Sequence, residues 1–349
     1  MDNKINFNDV NNNSFNYKLD INSFNLYLNS VGGHSLFIEI APNLLIKSAN
    51  DLEIQFYQYL NKSNIKTSFT PEFKGVIEKY HYNFNLIKNY IEQCLFFFIK
   101  YIIKLNIKPE NINIENDEKF TKIFTDFISN NNITQKNIKL NKSFENLEKN
   151  LNKLNQENYN KFKWILFWFI KWNNQFLLKK FLVLQNLTYQ MINPSILDIK
   201  LGAAPKISKE NNKIKIFGGA YYDIGCRIMG IQRKNYFKNK YDTKIYNLTY
   251  FKQEIKEFFH NKKTLINYSL ITIDKLIKEI NEKIKINLKF SSLLILFDDT
   301  LENNDKIILN LIDFSFFDNI LSNSDLILSI NNFANILKEI KNEKNYNHN

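Results

Sequence analysis

Two charged side chains spaced two apart, Asp198 and Lys200, stand in the run NPSILDIKLG from Asn193 to Gly202. In an extended chain alternate residues point to the same side. A carboxylate and an ammonium would then face one space, and Gly202 would let the backbone turn close to a ligand. The pair suits phosphoryl transfer. The carboxylate can accept or orient the proton of an attacking hydroxyl, and the ammonium can neutralise charge on the moving group. A surface salt bridge would use the same spacing. A second acidic candidate, Asp313, ends the apolar run ILNLI and precedes Phe314. A carboxylate there is costly to bury unless paired or bound to metal. Mg2+ holding nucleotide phosphates is a natural partner; capping the next loop is the alternative. Between the two lies a further apolar run with an acidic end, FSSLLILFDD, Phe290 to Asp299.

Several elements must position these groups. HSLFIEI (His34 to Ile40) and NLLIKSA (Asn43 to Ala49) read as a hairpin, and DLEIQFYQYL (Asp51 to Leu60) as an amphipathic helix with Asp51 near its cap. A strand follows from about Lys74, and FLVLQNL (Phe181 to Leu187) returns to strand character. The last third alternates strands with helices expected over 248–260, 268–284 and 324–342; the last carries Ile330, Phe333, Ile336, Leu337 and Ile340 at helical spacing. The sequence thus predicts an α+β fold. A polar tail over 1–28 precedes a small antiparallel-sheet lobe over 29–186 with a helical insert at about 83–177, and a larger lobe spans 187–345.

The chain has 349 residues, 44% of them hydrophobic and 15% aromatic, enough for a sizeable core. Its net charge of +12 is almost all lysine, with Arg227 and Arg233 the only arginines. That balance favours anionic partners without choosing among nucleic acid, lipid and phosphorylated small molecules. Neither zinc spacing nor an RNA-recognition motif supports a specific nucleic-acid binder. Two cysteines, Cys94 and Cys226, make no disulfide framework, and the four histidines are scattered. A reducing compartment, cytoplasm or nucleus, is expected. The most apolar runs, Cys94 to Leu105 and Trp164 to Trp172, are too short and too interrupted by lysine for a membrane span.

In this order, PSILDIKLG, SSLLILFDD and LIDF resemble the signature blocks of the inositol polyphosphate kinase family. VGGHSLF (from Val31), LIKS (from Leu45), EIQFYQYL (from Glu53), TPEFKGV (from Thr70), FLVLQNL and IGCRIMGIQ (from Ile224) resemble its remaining blocks. The resemblance spans about residues 28–80 and 178–342. It implies a two-lobed kinase-like fold and use of ATP and Mg2+ on an inositol phosphate; the sequence does not reveal the oligomeric state, and a monomer is the expectation. Lys47 would bind ATP phosphates, held by Glu53. The backbone of Gln185, Asn186 and Leu187 would receive adenine. Asp198 would orient the inositol hydroxyl, and Lys200 would contact substrate phosphate and the transferring group. Asp313 would ligate Mg2+ with Ser292 as support, and Lys206, Lys213 and Lys215 would add cations for the substrate.

The sequence departs from the family at Gln185, where an acidic residue is usual, and at Ser315-Phe316, where Ala-His is common. After the signature glycine it reads Ala203-Ala204-Pro205-Lys206. VGGHS, TPEFKGV and GCRIMGIQ lean towards the hexakisphosphate kinases, whose products are inositol pyrophosphates. A multikinase, a trisphosphate 3-kinase and a non-catalytic inositol phosphate sensor are the alternatives.

Overall fold

Strand β2 (Phe37–Ala41) buries alternate residues, Ile38 and Ile40, as a strand with one covered face does. Strand β3 (Leu44–Ala49) is buried almost throughout, because β2 and β5 (Lys180–Gln185) pair on either side of it. With β1 (Asn25–Leu26) and β4 (Phe73–Ile77) they form a five-stranded sheet in the order β1-β2-β3-β5-β4. The structure, a computed structural model, describes residues 25–27, 29–31, 37–77, 180–202, 207–210, 213–216, 223–240, 242–243, 247–260, 262–300, 306–318 and 322–343. The insert expected at 83–177 and the apolar runs within it lie outside the described residues.

A second five-stranded sheet has the order β10-β9-β6-β12-β13, made of β6 (Pro194–Leu201), β9 (Cys226–Arg233), β10 (Tyr236–Lys238), β12 (Ser292–Asp298) and β13 (Ile308–Ile312). Strand β6 is central, and its long apolar run is buried from end to end apart from a half-buried Lys200. Two small ladders, β7 (Ile207–Glu210) with β8 (Lys213–Ile216) and β11 (Asn287–Leu288) with β14 (Phe317–Asp318), complete the pairing. Every described pairing is antiparallel. The fold is mixed α and β with antiparallel sheets. One hydrophobic core joins helices and both sheets, from Phe56 and Tyr57 through Leu182 and Leu197 to Phe333 and Leu337.

Four described helices pack on these sheets: α1 (Asp51–Lys62), α2 (Leu248–Phe258), α3 (Lys263–Lys283) and α4 (Ser324–Asn342). The α4 stripe expected from spacing is buried. Asp51 stands next to the α1 cap, as expected; the cap is Asn50, whose side chain accepts from the Glu53 amide at 2.8 Å. Other boundaries move for local reasons. Helix α2 ends two residues early, where His260 follows in the left-handed region (φ 49°). Helix α3 begins at Lys263 rather than 268; its cap, Lys262, makes no side-chain capping bond and gave no start signal. Strand β5 stops at Gln185 rather than Leu187, because Asn186 turns the chain. Its Oδ1 accepts from the Thr188 amide (3.1 Å) and hydroxyl (2.9 Å), and its Nδ2 donates to the Pro42 carbonyl at 2.9 Å. Asn25 and Leu26, expected in a polar tail, pair with β2 instead.

Candidate active site

The register of the second sheet sets a file of residues along one face. Strand β6 alternates Ile196, Asp198 and Lys200 on that face, and β12 places Leu296, Leu294 and Ser292 opposite them. The nearer part of the file walls a cavity, with Ile196, Asp198, Leu294, Leu296, Ile312 and Asp313 from this sheet. Val31, Phe37, Leu45, Leu184 and Leu187 close it from the other sheet, with Lys47, Glu53 and Tyr57 at its charged end. An apolar slot ending in convergent charges is the usual form of a ligand site.

At that end the Lys47 ammonium lies 2.6 Å from Glu53 Oε1 and 2.5 Å from Asp313 Oδ1. Glu53 reaches it from α1, Lys47 from β3, and Asp313 from the turn after β13. The ion pairs therefore tie the first sheet to the second. Burial alone would push the Lys47 pKa down; the Asp313 and Glu53 carboxylates outweigh it and raise the pKa far above the usual range, so Lys47 is charged. Burial raises the pKa of Glu53, opposed by Lys47. Asp313 sits at φ 63°, a left-handed conformation that an aspartate tolerates at a turn. Phe314 anchors it: its buried ring stacks on Phe56 of α1 at 3.9 Å between centroids and meets the edge of Tyr57 at 5.6 Å.

Asp198 is 2% exposed, and burial followed by repulsion from Asp313 lifts its pKa from 3.8 to about 7. Ser292 and Lys200 oppose that rise. Asp198 Oδ1 and Ser292 Oγ are buried, and neither closes a hydrogen bond of standard geometry. A bulge opposite Asp198 adds one residue to β9, Met229, between Gly230 (paired with Asp198) and Ile228 (paired with Ile199). Such bulges re-aim a side chain beside a site. Lys200, one step further along the file, makes no ion pair among the described residues. Burial lowers its pKa, with Asp313 and Asp198 opposing. A half-buried ammonium among carboxylates and without a fixed partner suits an incoming anion.

Leu187 borders the cavity, whereas the amides of Gln185 and Asn186 are taken by the carbonyls of Glu72 and Asn43, both at 2.9 Å. Among the described residues no partner is found for the Leu187 amide, so of the three hinge residues it is the amide left for a base. Asn186 does the structural work described above, and the Gln185 side chain is exposed. Lys206 lies outside the described residues, and Lys213 and Lys215 fall on β8. Asp298 and Asp299 hold turns. Asp298 accepts from the amides of Ile192 (2.7 Å) and Asn193 (3.2 Å), and Asp299 accepts from Ser195 Oγ at 2.9 Å.

Sequence reasoning missed the roof of the cavity. Tyr27, Asn29 and Ser30 line it; the Tyr27 hydroxyl meets Thr188 Oγ1 at 3.1 Å, and Asn29 Oδ1 accepts from Gln232 Nε2 at 3.1 Å. The alternation of Phe24, Leu26 and Leu28 was the signal available.

Among the described residues no group of three or more His, Cys, Asp or Glu could hold a metal ion alone. A Mg2+ shared with phosphates needs only one or two carboxylates. Asp313, beside the buried oxygens Asp198 Oδ1 and Ser292 Oγ, fits that role.

The family model described as inositol polyphosphate kinase matches residues 181–338, a little under half of the chain. The chain is similar to that family over this stretch, which holds Asp198, Lys200, Ser292 and Asp313. No curated protein matches. Among solved structures, the inositol phosphate multikinase of S. cerevisiae in complex with ADP and Mn2+ is similar at 20% identity; the match covers 46% of this chain and 84% of that one, with a TM-score of 0.39. A second structure of an inositol phosphate multikinase is similar at 17% identity, covering 45% of this chain and 84% of that one, with a TM-score of 0.37.

Proposed function

We propose that the protein is an ATP-dependent inositol polyphosphate kinase. The observation that carries this reading is the file Asp198–Lys200 beside the Lys47–Asp313 pair at the end of an apolar cavity, with Asp198, Lys200 and Asp313 inside the stretch similar to that kinase family. Adenine lies between the aliphatic walls of Leu45, Leu184, Ile196 and Leu296, with the Leu187 amide as donor. Lys47 leaves Asp313 in part to meet the phosphates, and Glu53 holds its position. Asp313 would hold the divalent ion, which when bound would neutralise charge on the phosphates.

Asp198 then faces the acceptor hydroxyl. A carboxylate with a pKa near 7 is poised to take up the hydroxyl proton as the new P–O bond forms. Lys200 stabilises the charge that gathers on the phosphoryl oxygens. Departure of ADP completes an in-line transfer in which the hydroxyl oxygen gains the phosphoryl group and Asp198 its proton.

The finer reading is a hexakisphosphate kinase forming pyrophosphates; that acceptor has no free hydroxyl, so there a phosphate oxygen attacks, Asp198 takes any proton that phosphate carries, and a P–O–P bridge forms as ADP departs. This finer reading rests on the side chains of VGGHS, TPEFKGV and GCRIMGIQ and on a net charge of +12. A multikinase or trisphosphate 3-kinase is the alternative. The buried, bonded Cys226 thiol suits the reducing cytoplasm or nucleus we assign to it. The test is turnover with ATP and Mg2+ on inositol tris-, tetrakis-, pentakis- and hexakisphosphate in parallel, with products separated by charge. A product more anionic than hexakisphosphate is expected. Turnover only on the lower phosphates would move the assignment to a multikinase or 3-kinase. Folded, ATP-binding protein that turns over none of them would sink the kinase reading in favour of a sensor.

A further inference from the structure

Three residues in the left-handed region meet at one end of the site: Gly202 (φ 109°), Phe290 (φ 54°) and Asp313 (φ 63°). Glycine takes this conformation freely, but a phenylalanine there is an outlier that costs on the order of 1 kcal/mol or more. The surroundings hold Phe290 in place. A Cβ at Gly202 would stand 3.6 Å from the Phe290 amide nitrogen and 3.9 Å from its ring. The next residue, Ser291, accepts from the Leu201 amide at 2.9 Å. The Phe290 ring meets Phe316 edge to face, 5.9 Å between centroids and 88° between planes. Phe316 is itself pinned, because its carbonyl accepts from the Lys289 amide at 2.9 Å and β11 pairs with β14 on either side of the two rings. Yet Phe316 is 54% exposed, three residues beyond Asp313.

The register says where these rings lie. The file runs Ile196/Leu296, Asp198/Leu294, Lys200/Ser292, and Gly202 against Phe290 is its next step. Ile196 and Leu296 line the apolar cavity, and Asp198 stands at its charged end. Continuing in the same direction passes Lys200 and leaves the cavity on the side away from the base. The left-handed backbone of Phe290 and the exposed ring of Phe316 at that place have no role in the core.

We propose that Phe316, backed by Phe290, is the wall against which the acceptor ring stacks, and so a specificity-determining residue of the acceptor site. The proposal rests on the kinase reading above. A cyclohexanehexol with one axial substituent keeps a face bearing only axial C–H bonds, however many equatorial phosphates it carries. That face is apolar and fits an aromatic ring, while phosphates at the rim reach Lys200. Stacking of this kind orients the ring without charge, so it selects the face presented to Asp198 rather than the number of phosphates.

The experiment compares wild type, Phe316→Ala and Phe316→Tyr. It measures acceptor KM and kcat with the inositol phosphate that wild type turns over, and ATP affinity without acceptor. Calorimetric binding of inositol hexakisphosphate to wild type serves as the control on the acceptor site. Because Phe316 is exposed, its truncation leaves the core intact. Phe316→Ala is expected to raise acceptor KM about tenfold, the scale for exposing part of an aromatic contact. ATP affinity should stay unchanged, and Phe316→Tyr should restore most of the loss. Wild-type turnover with unaltered acceptor KM in Phe316→Ala would overturn this proposal and leave the kinase reading standing. Wild type that neither binds nor turns over any inositol phosphate would overturn both.

Discussion

Replacing Asp198 with asparagine should stabilise the free protein while abolishing its activity. Asp198 is 2% exposed, and burial followed by the Asp313 charge raises its pKa from 3.8 to about 7. The folded state therefore binds this proton more tightly than the unfolded chain does. Its stabilising effect is complete below about pH 4 and is lost as the pH rises through about 7. Above that, the wild type carries a buried anion that its fold disfavours by about 4 kcal/mol, from three units at 1.36 kcal/mol each. An asparagine stays neutral throughout. The stability gap between Asp198→Asn and wild type should thus widen by about 2 kcal/mol between pH 5.5 and 8.5, a few degrees in Tm for a chain of this size. The assay is thermal and urea unfolding of both proteins at the two pH values, with chelator and without nucleotide, beside turnover at saturating ATP. A gap that is the same at both pH values would refute the burial argument. Turnover by Asp198→Asn near the wild-type rate would refute the role in proton transfer.

Lys47→Met strands Glu53, which is 2% exposed, without its cation. It should cost about 3 kcal/mol in urea unfolding and eliminate ATP binding by calorimetry. The Lys47→Met/Glu53→Gln pair should recover much of that stability but none of the binding. Phe314→Ala empties a fully buried site stacked on Phe56 and edge-on to Tyr57. It should cost about 3–5 kcal/mol and raise the Mg2+ concentration needed for half-maximal turnover, because Asp313 loses its anchor; an unchanged Mg2+ requirement would count against that coupling. In Gly202→Ala the new Cβ finds ordinary contact distances, so only the backbone at φ 109° resists it. A stability loss of about 1 kcal/mol is expected, with a larger loss in kcat/KM for acceptor than for ATP.

The parts of the site legible in the sequence were those whose residue types are expensive. Asp198, Lys200 and Asp313 stood out because charged groups in apolar strands need a reason to be there; in the structure Asp198 and Asp313 line one cavity, and Lys200 lies one step beyond Asp198 on the same strand face. Lys47 and Glu53 carried no such mark. A lysine near the end of an apolar strand and a glutamate in the first turn of a helix look like ordinary surface residues until β3 and α1 fold against Asp313. Family resemblance supplied them, where spacing did not. The hinge was legible as a strand but not as a donor set. Which amide is left for a base depends on Glu72, 113 residues before Gln185, and Asn43, 143 residues before Asn186, by their numbers, and no local pattern encodes that.

Boundaries were missed for the same reason. Helix α3 begins at Lys263 rather than 268, and Lys262 before it makes no side-chain capping bond that a local pattern could announce. The aromatic pair at the acceptor end lies deeper still. Phe290 reads as the first residue of an apolar strand, and Phe316 as one more phenylalanine among the 31 of the chain. Nothing in their types announces a left-handed backbone or an exposed ring. What singles them out is a conflict between levels: a residue that should be buried is exposed, beside one that should be extended and is not. Where local preference and tertiary position disagree in this way, and the disagreement falls one step beyond Lys200 on the same strand face, we propose substrate binding as the physical reason for both.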